Sequence, residues 1–460
     1  MKNVGIIICN YNKKEFVVGC IESLRRQTIK DFDVYVVDNA STDGSAEYLK
    51  SKFGDEIQLI CNIENLGGSG GFNTGIKEAI KGNFEFMMLL DNDVILSEDC
   101  VENCLSIMNH YDDIGMLGCE ILKMDYPDRI QEFGPTINYD TMNFELNHGG
   151  EIDNGQLPDL FDCDYVPACA MMIRKEVVEA IGLMPQENFI YYDDITWGVR
   201  CHRAGYRVVV TSLAKAWHKG GAAINPTTFA SYYLNRNKIR FFMRYMATVY
   251  DDSLMTEWQI EERAENIIKD VFEGIYSCNR NGMPNMSKTR MDAFLDAIWG
   301  VTGKADAYKI RERELPDNKL EIYVLKGRKI LLHMNGLWES TRRLVNWLYE
   351  LEKKKDVQFE ITVCDEKEYI GQKILGISVI SEQEADNIQE FFDVNLHICK
   401  HVYEIYIPNM DKKWVDGWRN AVLDEQDYLS QKAYESSYDL FRTCFSDILI
   451  NKIKSELKRS

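Results

Sequence analysis

Along the first hundred residues, short unbroken apolar runs alternate with stretches where apolar positions recur every three to four residues. Residues 4–9 form a continuous apolar run, as a strand buried on both faces should. Phe16, Val17, Cys20, Ile21 and Leu24 then follow at helical spacing. Residues 34–37 make a second strand ending at Asp38, 45–52 suit a helix, and 58–61 make a third strand. A helix is expected over 72–80 and a fourth strand over 84–90, running straight into Asp91. Such alternation predicts an α/β fold with a mostly parallel sheet flanked by helices. Ligands of these sheets bind beyond the carboxyl ends of the strands. Asn10, Asp38, the run Gly67-Gly68-Ser69-Gly70-Gly71 with its preceding Asn65, and Asp91 all fall at such ends.

The pattern loosens over 130–165, which carries Gly134-Pro135 and His148-Gly149-Gly150 and reads as a loop-rich excursion. Residues 166–174 resume strand character, 195–204 read as a helix closed by Gly205, and 206–211 as a strand. A long helix is expected over 229–250, and 255–300 read as mainly helical. The charged segment 311–318, with Pro316, marks a boundary. Beyond it, a strand (329–333), a helix (340–351) and a strand (359–364) begin a second α/β unit, with helices expected from there to residue 460.

A length of 460 residues allows two or three domains at roughly 150 residues each. The net charge of −20 argues against a nucleic-acid partner. It leaves a nucleotide ligand open, because a metal held by carboxylates can neutralise a diphosphate. The 13 cysteines are odd in number and lack paired spacing, so they read as free thiols in a reducing cytosol. Neither a signal-peptide pattern nor an apolar run of roughly 18 residues is found, and a cytoplasmic location is the expectation.

Asp91-Asn92-Asp93 places two carboxylates at i and i+2 on a strand-end turn, where they can reach one hard cation. The same triplet also suits a plain turn. The glycine run lacks the spacing of a dinucleotide fingerprint, since the last position is Asn73, and Gly300-Val301-Thr302-Gly303-Lys304 is too short for a phosphate-binding P-loop. What remains is a bare-backbone turn before a helix, able to pass close to a nucleotide. Asp193-Asp194 opens a helix. One aspartate there serves as a cap; the second is surplus, and a carboxylate beside a sugar pocket can take a proton from an acceptor hydroxyl. Tyr191, Tyr192, Trp197 and Trp217 bracket the pair with rings suited to sugar faces or to a core. His218 precedes Gly220-Gly221, a loop able to close over a ligand, although a lone histidine is usually structural.

Taken in order, these segments resemble glycosyltransferase family 2, the inverting transferases with a GT-A nucleotide-diphospho-sugar transferase fold, over roughly residues 3–245. Ile6-Ile7-Ile8-Cys9-Asn10-Tyr11-Asn12 is similar to the family's opening strand, and Val36-Val37-Asp38-Asn39 to Ser45 resembles its nucleoside-binding turn. The resemblance implies that Asp38 meets the base and that Asn10, Asn12, Asn65, Gly67, Gly68, Gly71, Asn73, Asp91 and Asn92 hold the donor. It implies Mn²⁺ or Mg²⁺ on Asp91, Asp93 and His218, and Asp194 as general base with Asp193 beside it and Arg200 downstream. Tyr192, Trp197 and Trp217 would line the acceptor site. Thr196 departs from the third acid that many members carry. Asn65-Leu66-Gly67-Gly68-Ser69-Gly70-Gly71-Phe72 and Phe189-x-x-x-Asp193-Asp194 are most similar to bacterial galactofuranosyltransferases, while rhamnosyltransferases share most of the rest.

The expected organisation is a GT-A catalytic domain over 1–228, a helical extension over 229–315 and a C-terminal α/β domain over 319–460. The expected reaction moves a sugar from a nucleoside-diphosphate donor, UDP-galactofuranose first and a rhamnose nucleotide second, onto a glycan or lipid-linked glycan in bacterial surface-polysaccharide synthesis. A noncatalytic sugar-nucleotide or glycan-binding protein is the competing reading. Residues 232–245 mix Arg236, Lys238, Arg240 and Arg244 with five aromatic rings. That mixture suits either a helix lying on the inner face of the membrane or one packed into the core. Homo-oligomerisation stays open.

Overall fold

The computed structural model describes residues 3–220, 227–246, 250, 255–280, 282–313, 319–399, 412–416, 421–423 and 425–458. Gly221 of the Gly-Gly pair, and Pro316 within the charged boundary, lie outside the described residues. The chain forms two compact units. One comprises Met1–Val271, Lys288–Glu312 and Ser446–Ser460, and the other Phe272–Ser287 and Arg313–Phe445.

The first unit is built on a ten-stranded sheet. Its strands are β1 (Val4–Asn10), β2 (Phe32–Asp38), β3 (Gln58–Cys61), β4 (Phe86–Asp91), β5 (Val94–Leu96), β6 (Ile114–Lys123), β7 (Tyr126–Glu132), and, after a separate hairpin of β8 (Thr136–Asn138) and β9 (Asn143–Glu145), β10 (Leu160–Asp162), β11 (Ala170–Arg174) and β12 (Arg207–His218). The main path runs β10-β12-β6-β11-β4-β1-β2-β3. Strands β4, β1, β2 and β3 are parallel, and β11 is inserted antiparallel between β4 and β6. Successive side chains of a strand point to opposite faces. Ile6, Ile8, Val36, Met88 and Leu90 therefore join one core with Val17, Leu24 and Val101, whereas Ile7, Met87 and Leu89 join another with Phe72, Ile76 and Trp197.

Three local features differ from the sequence expectation. Helix α3 spans Gly67–Ala79, following α1 (Lys14–Arg25) and α2 (Ser45–Phe53), so the glycine run forms its opening turn and the start of the next, and no loop precedes a later helix. Four short strands, β7 to β10, fall within or across the excursion expected at 130–165. Strand β12 continues to His218 because a register break against β6 between Thr211 and Lys215 re-aims its last residues; there it pairs with β5 as well, His218 opposite Val94.

The second unit holds a seven-stranded sheet: β13 (Lys329–His333), β14 (Glu360–Asp365), β15 (Lys373–Ile374), β16 (Ile377–Ser381), β17 (Val394–Cys399), β18 (Trp414–Asp416) and β19 (Ala421–Val422), ordered β15-β16-β14-β13-β17-β18-β19. Strands β16, β14, β13, β17 and β18 are parallel. Five of these strands lie beyond residue 365, where helices alone were expected. Their short apolar runs carry too little periodicity to separate strand from helix.

Candidate active site

The site is built from the carboxyl ends of β1, β2 and β4. Asn39, just past β2, organises the glycine segment: its Oδ1 accepts from Leu66 N–H (3.1 Å) and Asn62 Nδ2 (2.9 Å), and its Nδ2 donates to the Gly67 carbonyl (2.9 Å). Gly67 has φ +79°, and a Cβ there would lie 1.9 Å from the Phe189 carbonyl oxygen. Glycine is thus required both by conformation and by space.

A cavity of about 780 Å³ opens over these strand ends, lined in part by Lys13, Asn39, Asn65, Gly67, Gly68, Asp91, Asn92, Asp93 and His218, and on its other wall by Phe189, Tyr191, Phe229, Tyr233 and Lys304. Asn65, Gly67, Gly68, Asp91, Asn92, Asp93 and His218 are thereby brought together as the sequence reading expected. Several other expected residues, Asp193 and Asp194 among them, are not among the lining residues. Asn10 is fully buried and ties Asp38 (3.2 Å) to Asn92 (3.0 Å). Asp38 is buried as well, accepting from Asn10 and from Ser41 N–H at 2.8 Å, and is not among the lining residues. Asn12 has φ +52° and receives Thr42 N–H at 2.7 Å. Gly71 and Asn73 are corrected from ligand contacts to packing. A Cβ on Gly71 would meet Cys9 Sγ at 2.2 Å, and Asn73 grips the Met184 backbone through both amide atoms (2.9 and 3.0 Å).

Two of the three expected acceptor rings are corrected likewise. Trp197 has no exposed surface and donates to the Gly182 carbonyl in the core. Tyr192 is buried against Phe144 and Phe241. Trp217 stays half-buried: its Nε1 donates to the Pro127 carbonyl and one side of the ring packs on the core. Arg200 donates to the Leu183 carbonyl rather than to the acidic pair.

The ligand atoms of Asp91, Asp93 and His218 lie within 4.8 Å of one another. His218 Nε2 is 3.4 Å from Asp93 Oδ1 and 3.7 Å from Asp91 Oδ2, and Lys13 Nζ is 2.6 Å from Asp93 Oδ2. Burial alone would raise the Asp93 carboxyl, but the His218 hydrogen bond and the Lys13 charge together bring it down to about 2. Asp91 has no such close cation. Burial and the Asp93 charge push it up to about 6, against the pull of His218. Two carboxylates and an imidazole converging at this spacing fit a divalent cation with hard-ligand preference, and Lys13 occupies part of the counter-charge role. Ligation through His218 Nε2 calls for a proton on Nδ1. Gln131, whose amide lies 3.1 Å from Nδ1, would then present its oxygen.

Helix α6 (Asp193–Arg203, preceded by α4 at Cys100–His110 and α5 at Lys175–Ile181) begins with the acidic pair. Asp194 Oδ1 accepts from Ile195 N–H (2.8 Å) and Oδ2 from Ala168 N–H (3.3 Å). Burial raises Asp194 despite these bonds, and burial with the Asp194 charge raises Asp193. Phe189, Tyr191 and Tyr192, just ahead of the pair, all have φ between +64° and +67°. Non-glycine residues in this region cost on the order of 1–3 kcal/mol each and need support from their surroundings.

Helix α7 (Thr228–Arg244) gives that support. Asn237 Nδ2 donates to the carbonyls of Asn188 (3.0 Å), Ile190 (2.8 Å) and Tyr191 (3.1 Å), while the buried Arg236 donates to Asn188 (2.9 Å) and Gly303 (2.8 Å). Tyr233 stacks on Phe189 at 5.1 Å, and its hydroxyl accepts from Ala305 N–H. The interfacial reading of this helix is corrected: Tyr232, Tyr233, Arg236, Phe241, Phe242 and Tyr245 are all buried, leaving no apolar face for lipid.

Sequence reasoning missed Lys13, Gln131, Glu132 and Lys304. Glu132 leaves a buried oxygen without a hydrogen bond and is pushed up to about 7 by burial and by Asp194. It lies on β7, inside a segment whose pattern gave no strand.

The family model for glycosyl transferase family 2 matches residues 5–182. Galactofuranosyltransferase GlfT2 of Mycolicibacterium smegmatis is 21% identical over 372 residues, 72% of this chain and 57% of the relative, so the chain spans little more than half of that protein's length. The dTDP-rhamnosyl transferase RfbF of Shigella flexneri is 26% identical over 225 residues, 48% of this chain and 70% of the relative. Among solved structures, GalNAc-T7 with UDP, GalNAc and Mn²⁺ aligns at a TM-score of 0.44 with 11% identity, covering 58% of this chain and 51% of that one.

Proposed function

We propose that this chain, which belongs to glycosyl transferase family 2 through residues 5–182 and has its GT-A fold, is a metal-dependent inverting glycosyltransferase acting in polysaccharide synthesis. The observation that carries the reading is the convergence of Asp91, Asp93, His218 and Lys13 on one cavity wall, with the glycine-bared start of α3 beside them. Asp91, Asp93 and His218 would hold Mn²⁺ or Mg²⁺, and such a cation supplies charge stabilisation to a departing diphosphate. Gly67 and Gly68 line the donor side without side-chain bulk, beside Asn65. Lys13 offers a second positive charge to phosphate oxygens. Asp194, with Asp193 beside it, takes the proton of the acceptor hydroxyl. The raised proton affinity of both carboxyls favours uptake of the acceptor proton. One displacement at the anomeric carbon inverts it: the acceptor oxygen bonds as the diphosphate oxygen leaves.

UDP-galactofuranose is the proposed donor, supported by the similarity to GlfT2 and by the glycine and Asp193-Asp194 context. The similarity to RfbF supports a rhamnose nucleotide as the second reading. A glycan, free or lipid-linked, is the proposed acceptor. Release of nucleoside diphosphate across a panel of donors, with Mn²⁺ and with excess chelator, tests the proposal. UDP release from UDP-galactofuranose that stops on chelation is expected. Turnover of a rhamnose nucleotide alone reassigns the donor, and full turnover in excess chelator overturns the metal role. Absence of release from every donor, with nucleotide still bound, favours a noncatalytic binding protein.

A further inference from the structure

In the second unit, three neighbouring parallel strands line up a row of side chains at their carboxyl ends. His333, the last residue of β13, pairs in register with Cys364 on β14 and with His397 on β17. Residues paired across adjacent strands project to the same face. Glu382, immediately after β16, reaches in from the side. His333 Nδ1 lies 3.0 Å from Glu382 Oε1 and 3.3 Å from Cys364 Sγ, which is itself 3.3 Å from the same Oε1. The His397 ring stacks on His333 at 3.9 Å and 17° and fixes its plane. Cys364 is fully buried and His333 nearly so, whereas Glu382 keeps 27% of its side chain open to solvent.

We propose that His333, Cys364 and Glu382 form a binding site for a borderline-soft divalent cation of the Zn²⁺ class, separate from Asp91, Asp93 and His218. Around a tetrahedral Zn²⁺, nitrogen, sulfur and oxygen donors stand about 3.3–3.6 Å apart. The three atoms here already approach that spacing without rearrangement of the strands. The mixture matters too. A thiolate with an imidazole favours Zn²⁺ over Mg²⁺ or Ca²⁺, and three protein ligands leave a fourth position open toward the exposed edge of Glu382. On loading, the Cys364 thiol proton passes to solvent and the His333 ring proton moves to Nε2, freeing Nδ1. The carboxyl ends of parallel strands are also where such sheets place ligands. Without a metal, the same contacts amount to a hydrogen-bonded cluster, and the experiment separates the two.

Full-length protein, stripped of metal, is titrated with Co²⁺ and followed by absorption. A thiolate-to-cobalt charge-transfer band saturating at one equivalent is expected, bleached by added Zn²⁺ and unchanged in Asp93→Ala. Cys364→Ser should lose the band. Glu382→Gln, at a partly exposed position that leaves the sheet intact by circular dichroism, should weaken binding by roughly tenfold or more. Folded wild type with no band overturns the site. So does a band surviving Cys364→Ser, which would belong to the buried Cys100, Cys104 and Cys119 cluster, or unchanged affinity in Glu382→Gln.

Discussion

Asp91 and Asp93 stand two residues apart yet are driven in opposite directions, to about 6 and about 2. Asp93 faces both cations, Lys13 at 2.6 Å and His218 at 3.4 Å, whereas Asp91 meets only His218, at 3.7 Å. Asp93→Ala should therefore abolish metal-dependent turnover and donor binding together; retained donor affinity by calorimetry would count against the assignment. For the base, Asp194→Asn preserves shape and should cut turnover by roughly 10²–10⁴ with donor affinity near wild type. High residual turnover would move the role to Asp193. Glu132 gives a pH signature in metal-free protein. Its folded value near 7 exceeds the ordinary 4.5, so the unfolded chain ionises first and stability falls as pH rises between them. Glu132→Gln should be neutral near pH 4.5 and stabilising by about 1–3 kcal/mol above pH 7. Melting curves across that range check it, and a gain largest at low pH would refute the burial argument.

At the scale of elements, helix α3 and strand β1 approach so closely that Gly71 has no room for a side chain. Gly71→Ala should cost about 1–3 kcal/mol in chemical denaturation, and Cys9→Ala in the same chain should return part of it by removing the sulfur in the way. Additive effects would mean the two do not touch. Helix α7 is a scaffold for the cavity wall. Asn237→Ala leaves the carbonyls of Asn188, Ile190 and Tyr191 short of a donor and releases a segment with three left-handed residues. Stability should drop by roughly 1–3 kcal/mol and turnover more steeply than donor affinity, because the segment leads into Asp193-Asp194. The bases and aromatics of α7 suggested a membrane surface only because sequence cannot show which rings are covered.

For the whole molecule, a net charge of −20 opposes an anionic donor at long range. The local charges of Lys13 and a bound cation must overcome that field. Raising ionic strength from about 0.01 to 0.15 M shortens the screening length from about 30 to 8 Å. It should therefore increase kcat/KM for the nucleotide sugar at saturating metal. A steep fall with salt would instead mean that attraction by the site dominates the encounter. Among the described residues, no helix is long and apolar enough to cross a membrane.

The sequence by itself determined strands β1 to β4, β11, the start of β12, β13 and β14, with the strand-end placement of Asp91, Asp93 and the glycine segment, because apolar periodicity and turn chemistry are local properties. It also supplied His218 and Asp193-Asp194 through ordered motifs. Tertiary structure alone decided who meets whom. Lys13 reaches Asp93 across 80 residues, Gln131 reaches His218 across 87, and Ser69 reaches Phe189 across 120. Strand β7, which brings Gln131 and Glu132, is mostly polar, so no period announces it. Trp197 and Asn73 looked like ligand contacts because a ring or an amide serves a core as well as a sugar; only burial separates the two uses. The row of Cys364, His333 and His397 has no sequence motif at all, since it runs across strands whose register is set by pairing rather than by spacing along the chain.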